Sequence, residues 1–418
     1  MRRRSLVLMA ALALLAPTAP PLRTAESYRS PEDVAAALKS CAARYPDLVQ
    51  LKTIGRGSGG SEIWVLRIAA RAEGAPDPDV RPAVFIAANV EGVHLLGTEA
   101  ALALAERLLA ASAKDNGWAA FLKRTTVYIA PLLNPDTARK TFAAPLAEAW
   151  SNARPVDADL DGRDDEDGPD DLNKDGLITQ MRVKDPAGRY LPDPKEPRLM
   201  RLANPLKGET GLYALYPEGL DNDGDGAYNE DGPGGVEVHR NFPHDFDYGN
   251  PAAGRYPASE VETVALLKFL SERGNIAMIL GFGTENTILN QQQTGQARLG
   301  GDKVKVPRMF AGFLGLDPEA EYTIKEIVDL LKGMRIGGGM EITEDVVAMF
   351  LGLGPAVVID RMDQPLFEEV QKAYKESLKA ARSGYPEKRA KGVGKGAFAA
   401  YAYYQYGVFV FSLDLWSV

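Results

Sequence analysis

An apolar run, Ala83 to Ala88, followed within seven residues by an alanine- and leucine-rich pattern from Leu95 to about Ser112, constrains this chain more than any other feature in it. Six apolar residues are too few for an ordinary helix and predict a strand buried on both faces; the longer pattern predicts a helix. A buried strand feeding a helix is the unit of an α/β fold, and ligands in such folds bind where strand ends meet helices. The turn between the two is therefore the first place to look for chemistry. It holds Glu91 and His94, both able to ligate a first-row metal, with Gly92 between them to let the backbone bend. A Glu-x-x-His pair is a weak signal by itself, because a surface glutamate and a solvated histidine read the same way.

The remaining pattern supports the same class. Ser30-Pro31-Glu32-Asp33 is a helix start, with a capping serine and a proline in the first turn, and the helix should run to about Arg44. Leu48 to Ile54 and Glu62 to Ile68 read as strands joined by the glycine-rich Gly55 to Gly60, a hairpin turn rather than a phosphate loop, since no Gly-Lys-(Ser/Thr) ending follows. Thr126 to Pro131, Ile276 to Leu280 and Gly407 to Trp416 read as further buried strands, and Ser259 with Glu262 reads as a capping box opening a helix. Residues 295 to 400, with Gly337 to Gly339, carry helical and glycine-rich stretches and no recognisable motif. The expected architecture is α/β, a single domain with a central mixed, mostly parallel twisted sheet flanked by helices, with an acidic calcium-loop-like insertion at about 155–233.

That insertion has its own pattern. Asp157, Asp159 and Asp161, then Asp171, Asn173 and Asp175, then Asp221, Asp223 and Asp225 stand at alternate places, each trio followed at once by glycine. Alternate carboxylates on a loop that turns at glycine bring oxygens together on a hard cation, as in calcium loops. The twelfth place lacks the usual glutamate, and no flanking helix pair is evident. Calcium binding is the expectation, with a structural role: pinning a self-repelling segment.

Asn89-Val90-Glu91-Gly92-Val93-His94 resembles the first motif of the zinc carboxypeptidase family of carboxypeptidase A type, Asn-(Ile/Val)-His-Gly-x-Glu, with the two zinc-ligand types exchanged. Leu133-Asn134-Pro135-Asp136 resembles the family's Asn-Pro-Asp-Gly turn, with Thr137 in place of glycine. Trp150 to Arg154 resembles its Trp-Arg-x-x-Arg segment, with Ser151 where the first arginine polarises the scissile carbonyl; Arg154 stands out of register to replace it. Gly235 to Phe242 resembles the phrase whose Asn-Arg pair binds the substrate carboxylate, here His239 and Arg240. For Arg240 the resemblance implies a carboxylate contact, and the surrounding acids equally allow a local ion pair. The third zinc-ligand position corresponds to Gly283, and the general-base glutamate to Asp414, one methylene shorter.

The resemblance implies a zinc carboxypeptidase fold, peptide or protein C-termini as partners, and a zinc cofactor that the altered ligands put in doubt. Changes even behind the ligands typically lower metal affinity by roughly 10–100-fold, and a misplacement of about 1 Å in a catalytic group can cost on the order of 100-fold in rate. Four altered positions at one site point to a protein that no longer hydrolyses, a pseudoenzyme. Two alternatives remain open: an active enzyme with a rewired zinc site using Glu91, His94 and a substitute such as Glu285, and a calcium-stabilised extracellular interaction module.

Met1 to Ala16 carries a basic start and a short apolar run, the pattern of a signal peptide ending near residue 25, leaving 26–418 as the carboxypeptidase-like domain, exported to a periplasmic or extracellular location with no transmembrane helix in the mature chain. A net charge of −9 argues against nucleic acid as a partner. The single Cys41 lies in a helical pattern and reads as a core residue.

Overall fold

The computed structural model describes residues 28–71, 73–157, 162–222, 224, 226, 228–229, 232, 234–290, 303–306, 311–312, 316–331, 347, 351, 359–360, 362–380 and 392–415. The signal-like segment, Gly337 to Gly339 and Trp416 lie outside the described residues. The described residues fall into two compact units, one within Thr18–Asn286 and Gly394–Val418, the other within Thr287–Val393.

The first unit opens with α1, Pro31–Arg44, started as expected by Ser30 and Pro31, with Ser30 and Asp33 forming a reciprocal capping box. Val34 and Leu38 face inward; Cys41 is only half-buried rather than a core residue, and burial pushes its thiol up. Strands β1 (Val49–Arg56) and β2 (Glu62–Ile68) form the antiparallel hairpin. Strand β3 (Ala83–Ala88) is buried at all six positions and leads into helix α2, Leu95–Ser112, as the apolar pattern requires. Helix α3 (Asn116–Arg124) returns the chain to β4 (Thr126–Ala130), and α4 (Pro135–Lys140) follows with the Asn134 side chain capping its first turn.

Residues 180–217 form a second, antiparallel sheet from β5 (Gln180–Lys184), β6 (Tyr190–Pro192), β7 (Met200–Leu202) and β8 (Tyr213–Pro217), in the order β5-β8-β6-β7. The chain then enters α5 (Val261–Ser271) and β9 (Ile276–Phe282).

The other unit, described by itself, pairs β10 (Val304–Lys305) with β11 (Glu321–Tyr322) antiparallel. Helix α6 (Ile324–Leu330) starts at a Thr323/Glu326 capping box and packs Ile327 with Val306, Ala311, Leu331, Val347 and Leu351 in a small core. Helix α7 (Gln364–Ala380) belongs to the same unit. Back in the first unit, α8 (Phe398–Tyr404) precedes the last strand, β12 (Phe409–Leu413).

The main sheet has the order β1-β2-β4-β3-β9-β12. Neighbours β4/β3, β3/β9 and β9/β12 are parallel, while β1/β2 and β2/β4 are antiparallel, so the sheet is mixed and mostly parallel as expected. Helix α5 covers one face: Phe269 packs against Phe85 at 5.3 Å and Tyr128 at 5.6 Å between ring centroids. Parallel running gives β3, β4, β9 and β12 a common C-terminal rim, and the rim continues past the strands in backbone hydrogen bonds. Asn89 N–H donates to Phe282 O, Asn134 N–H to Asn89 O, and Gly283 N–H to Leu413 O. Glu91, Gly283 and Asp414 are placed on one edge by that ladder.

Ser259 does not form the expected capping box. The residue preceding α5 is Glu260, and Glu262 instead accepts from the backbone N–H of Ser58 at 2.7 Å and its hydroxyl at 2.9 Å. A tertiary partner has taken the carboxylate that a local cap would have used.

Candidate active-site rim

At the head of the rim the backbone turns at Asn89, which has φ 57°, and at Gly92, which has φ 81°. Gly92 is required twice over: the left-handed φ favours glycine, and a Cβ there would overlap the Thr137 side chain. This turn sends Glu91 inward, where the residue is 6% exposed, and leaves His94 at the start of α2 with no side-chain cap.

The two candidate ligands then part company. Glu91 Oε1 accepts from Thr284 N–H at 3.0 Å and from its hydroxyl at 3.3 Å. Its carboxylate fills the space over residue 283, so closely that a Cβ at Gly283 would overlap Oε1 and lie 3.0 Å from Oε2. The expected third-ligand position is thus not a vacant gap; the carboxylate that the exchange brought to residue 91 occupies it. His94 points elsewhere, its Nε2 3.8 Å from Asp414 Oδ1, and neither of its ring nitrogens makes a hydrogen bond. Gly97 permits this, since a Cβ there would lie 2.6 Å from His94 Nδ1 and 2.9 Å from Phe282 O.

A narrow cavity of about 40 Å3 lies beside Glu91, lined also by His239, Gly283, Glu285 and Ser412. That is room for water. Burial pushes the Glu285 carboxyl up to about 8, Gly394 N–H donating to it works in the opposite direction, and the Glu91 charge adds to the rise. Burial likewise pushes His239 down, against the pull of Glu91 and Glu237, so the ring is neutral at neutral pH. Its Nδ1 is buried without a hydrogen bond, its Nε2 lies 3.4 Å from Glu237, and its ring stands 5.8 Å from Trp150.

The residues do not fit the family's zinc. Glu91 and His94 have separate partners, residue 283 supplies no side chain, and among the described residues no group of three or more His, Cys, Asp or Glu is arranged to hold a metal ion. Zinc remains what the resemblance implies. The remaining histidine, His244, stacks on Tyr404 with 4.5 Å between centroids.

The substrate-side residues are also engaged. Arg240 donates through Nε to Glu237, three residues back in the same short turn, with its side chain 40% exposed, so the local ion pair allowed by the sequence is formed. Ser151 donates to Gly234 O at 2.9 Å. Arg154 donates to the buried Glu260 at 2.8 Å, which removes it as a stand-in for an oxyanion donor.

Two groups escaped sequence reasoning. Glu237 has a local signal, since an acid three residues before an arginine pairs with it in a helical turn. Asp136, 3% exposed, enters the sequence reading only as part of the Leu133-to-Asp136 turn, without a role: it accepts from Gly59 N–H at 2.8 Å, from Ser61 and from Arg139, and the glycines at 57 and 59 leave it room. The glycine-rich hairpin turn therefore closes over a carboxylate of its own chain.

In the insertion the three acidic loops share one hydrogen bond. The leading carboxylate accepts from the N–H of the glycine in sixth place: Asp157 from Gly162 at 3.0 Å, Asp171 from Gly176 at 2.8 Å, and Asp221 from Gly226 at 3.0 Å. Asn173 and Asp175 accept from backbone N–H groups of their own loop. Asp159, Asp161, Asp223 and Asp225 lie outside the described residues. The loops are joined by buried acids: Asp167 accepts from Asn222 and Asn229 N–H, and Glu218 from Leu172 N–H, Asn173 N–H and the Thr179 hydroxyl.

Comparison with known proteins places this geometry. Residues 34–170 match the family model described as zinc carboxypeptidase. Carboxypeptidase D of Anas platyrhynchos is 29% identical over 137 residues, covering 32% of this chain and 10% of that protein. Carboxypeptidase M of Mus musculus is 30% identical over 112 residues, covering 26% of this chain and 24% of that protein. The chain thus spans a small part of the length of these relatives. The crystal structure of carboxypeptidase A from Helicoverpa armigera is similar over 91% of this chain and 78% of that chain at 16% identity, with a TM-score of 0.40. The matched stretch carries the hairpin, β3, the turn with Glu91 and His94, and β4, and over these residues the chain is similar to the zinc carboxypeptidase family, with altered ligand positions.

Proposed function

We propose that this is an exported carboxypeptidase-fold protein that has lost zinc-dependent peptide hydrolysis and engages peptide C-termini through Arg240. The observation that carries the loss is the position of Glu91: its carboxylate lies over Gly283 and is held by Thr284, while His94 faces Asp414. A hydrolytic site needs ligands that converge, with an open position for water and a base within hydrogen-bond reach. The half-exposed Arg240 guanidinium supports the second half of the reading, because a fork of this kind can receive a carboxylate while Nε stays on Glu237.

The test is metal content by plasma mass spectrometry after dialysis against trace zinc, on wild type and Glu91→Ala/His94→Ala, with release of C-terminal residues from unblocked peptides assayed in parallel. The expected result is no stoichiometric zinc and no release. Stoichiometric zinc that disappears in the double variant, together with release, would instead establish an active enzyme with a rewired site. For the partner, peptides with free termini should bind better than their amidated forms, and Arg240→Gln should remove the difference.

The shared carboxylate-to-glycine hydrogen bond in the three loops supports calcium as a brace for the insertion. Saturating calcium is expected to stabilise the protein by about 1 kcal/mol, raising Tm by about 1–2 °C. An unchanged Tm, with calcium absent from the dialysed protein, would sink this part of the reading.

A further inference from the structure

A second cavity on the main-sheet unit lies away from the rim that carries Glu91. About 330 Å3 in volume, it lies between β1, β2 and β4 on one side and the end of α5 on the other. Asp79, before β3, and Arg273, before β9, place it at the opposite end of the parallel strands from Gly283 and Asp414. Its walls carry four cations, Lys52, Arg67, Lys268 and Arg273, against two carboxylates, Asp79 and Glu272. An excess of positive charge is collected here on a chain whose net charge is −9.

The two arginines are held in unlike ways. Arg67, with a side chain 17% exposed, pairs with Asp79 at 3.0 Å, and Tyr128 donates to the same carboxylate at 2.9 Å. Burial pushes the Tyr128 hydroxyl up to about 12, so it stays a donor. Arg273, 19% exposed, lies over the Phe269 and Tyr128 rings at 5.4 and 6.0 Å. Its only acidic neighbour in the cavity wall within ion-pair range is the half-exposed Glu272, 3.9 Å away, and its Nε is buried with no hydrogen bond. A buried guanidinium N–H without an acceptor is costly, and Asp79 is already committed to Arg67 and Tyr128. Phe269, Val65 and Ile54 give the cavity an apolar floor.

We propose that this cavity is a binding site for a small anionic metabolite, one whose phosphate or carboxylate group is received by Arg273 with Lys52 and Lys268 and whose body rests on the apolar floor. The volume suits a small molecule and excludes a folded partner. A charged oxyanion in the cavity would pair with the Arg273 guanidinium, whose nearest carboxylate in the cavity wall is 3.9 Å away, and the fork geometry of a guanidinium fits it. The site is independent of the chemistry at the opposite rim.

Isothermal titration of the full chain with inorganic pyrophosphate, and separately with citrate, tests it. Saturable binding of at least one probe is expected, and which one binds identifies the group preferred. Arg273→Gln should weaken it by about tenfold or more, the effect of removing a charge-assisted hydrogen bond, while Arg198→Gln, on the exposed insertion, should leave it unchanged. If Arg273→Gln fails to fold, the surface variant Lys52→Gln/Lys268→Gln decides the matter by the same criterion. Absence of saturable binding by both probes, or equal weakening by Arg198→Gln, would overturn the proposal.

Discussion

Glu285→Gln is expected to make the protein more stable at pH 8 than wild type by on the order of 3 kcal/mol, and no more stable at pH 4. The carboxyl is pushed up to about 8 by burial, so the folded chain holds its proton more tightly than the unfolded chain does. The sign follows: the stability associated with that proton is complete below the ordinary glutamate range, declines as pH rises toward 8, and levels off above it. Glutamine keeps an oxygen for Gly394 N–H and carries no charge to bury beside Glu91. Urea melts of both proteins from pH 4 to 8.5, in chelator so that no ion sits among the carboxylates, give the comparison. Parallel stability curves across that range would refute the assignment of a half-buried, proton-holding Glu285.

Gly283→Ala is the second large effect. The glycine is not in the left-handed region, so alanine is acceptable to the backbone; the obstacle is the Glu91 carboxylate where the methyl must go. Overpacking of this kind costs about 1–3 kcal/mol. In a Glu91→Ala background the space is open, and the same substitution should cost under about 0.5 kcal/mol, a coupling that a double-mutant cycle reads directly. Equal cost in both backgrounds would mean that Glu91 does not occupy the third-ligand position, and the reading of the site as blocked would fall with it.

Much of this fold is legible in the chain because its central elements obey one rule at a time. Ala83 to Ala88 is apolar without interruption and is buried throughout, and Leu95 to Ser112 is a helix with the expected bounds. Ser30 and Asp33 cap α1 with partners three residues apart, where local sequence suffices. The insertion sheet is harder to see: β6 and β7 have three residues each, and Gln180–Lys184 is a half-exposed strand bounded by acidic loops. Elsewhere, distant partners decide. Nothing near Arg154 announces that Glu260 will hold it, and nothing near Glu262 announces Ser58.

The candidate site divides in the same way. That residue 283 lacks a side chain, and that Glu91 and His94 stand in exchanged order, can be read directly from the chain. That the exchange lets Glu91 fill the glycine's space, and that His94 then faces Asp414, depends on the rim bringing the ends of β3, β9 and β12 together. Glu285, which sequence alone could not aim, lines the same small cavity as Glu91 and His239.

The hydrogen bonds from Ser58 to Glu262 span 204 positions of sequence. During synthesis the Ser58 amide and hydroxyl must wait for their carboxylate until α5 has emerged, and β3 must wait for β9 before its second edge is paired. Contacts so far apart in the chain are slow to form, because loop closure precedes their reward. The stretch that carries the family likeness, residues 34–170, thus has its hairpin turn completed by chain made long after it.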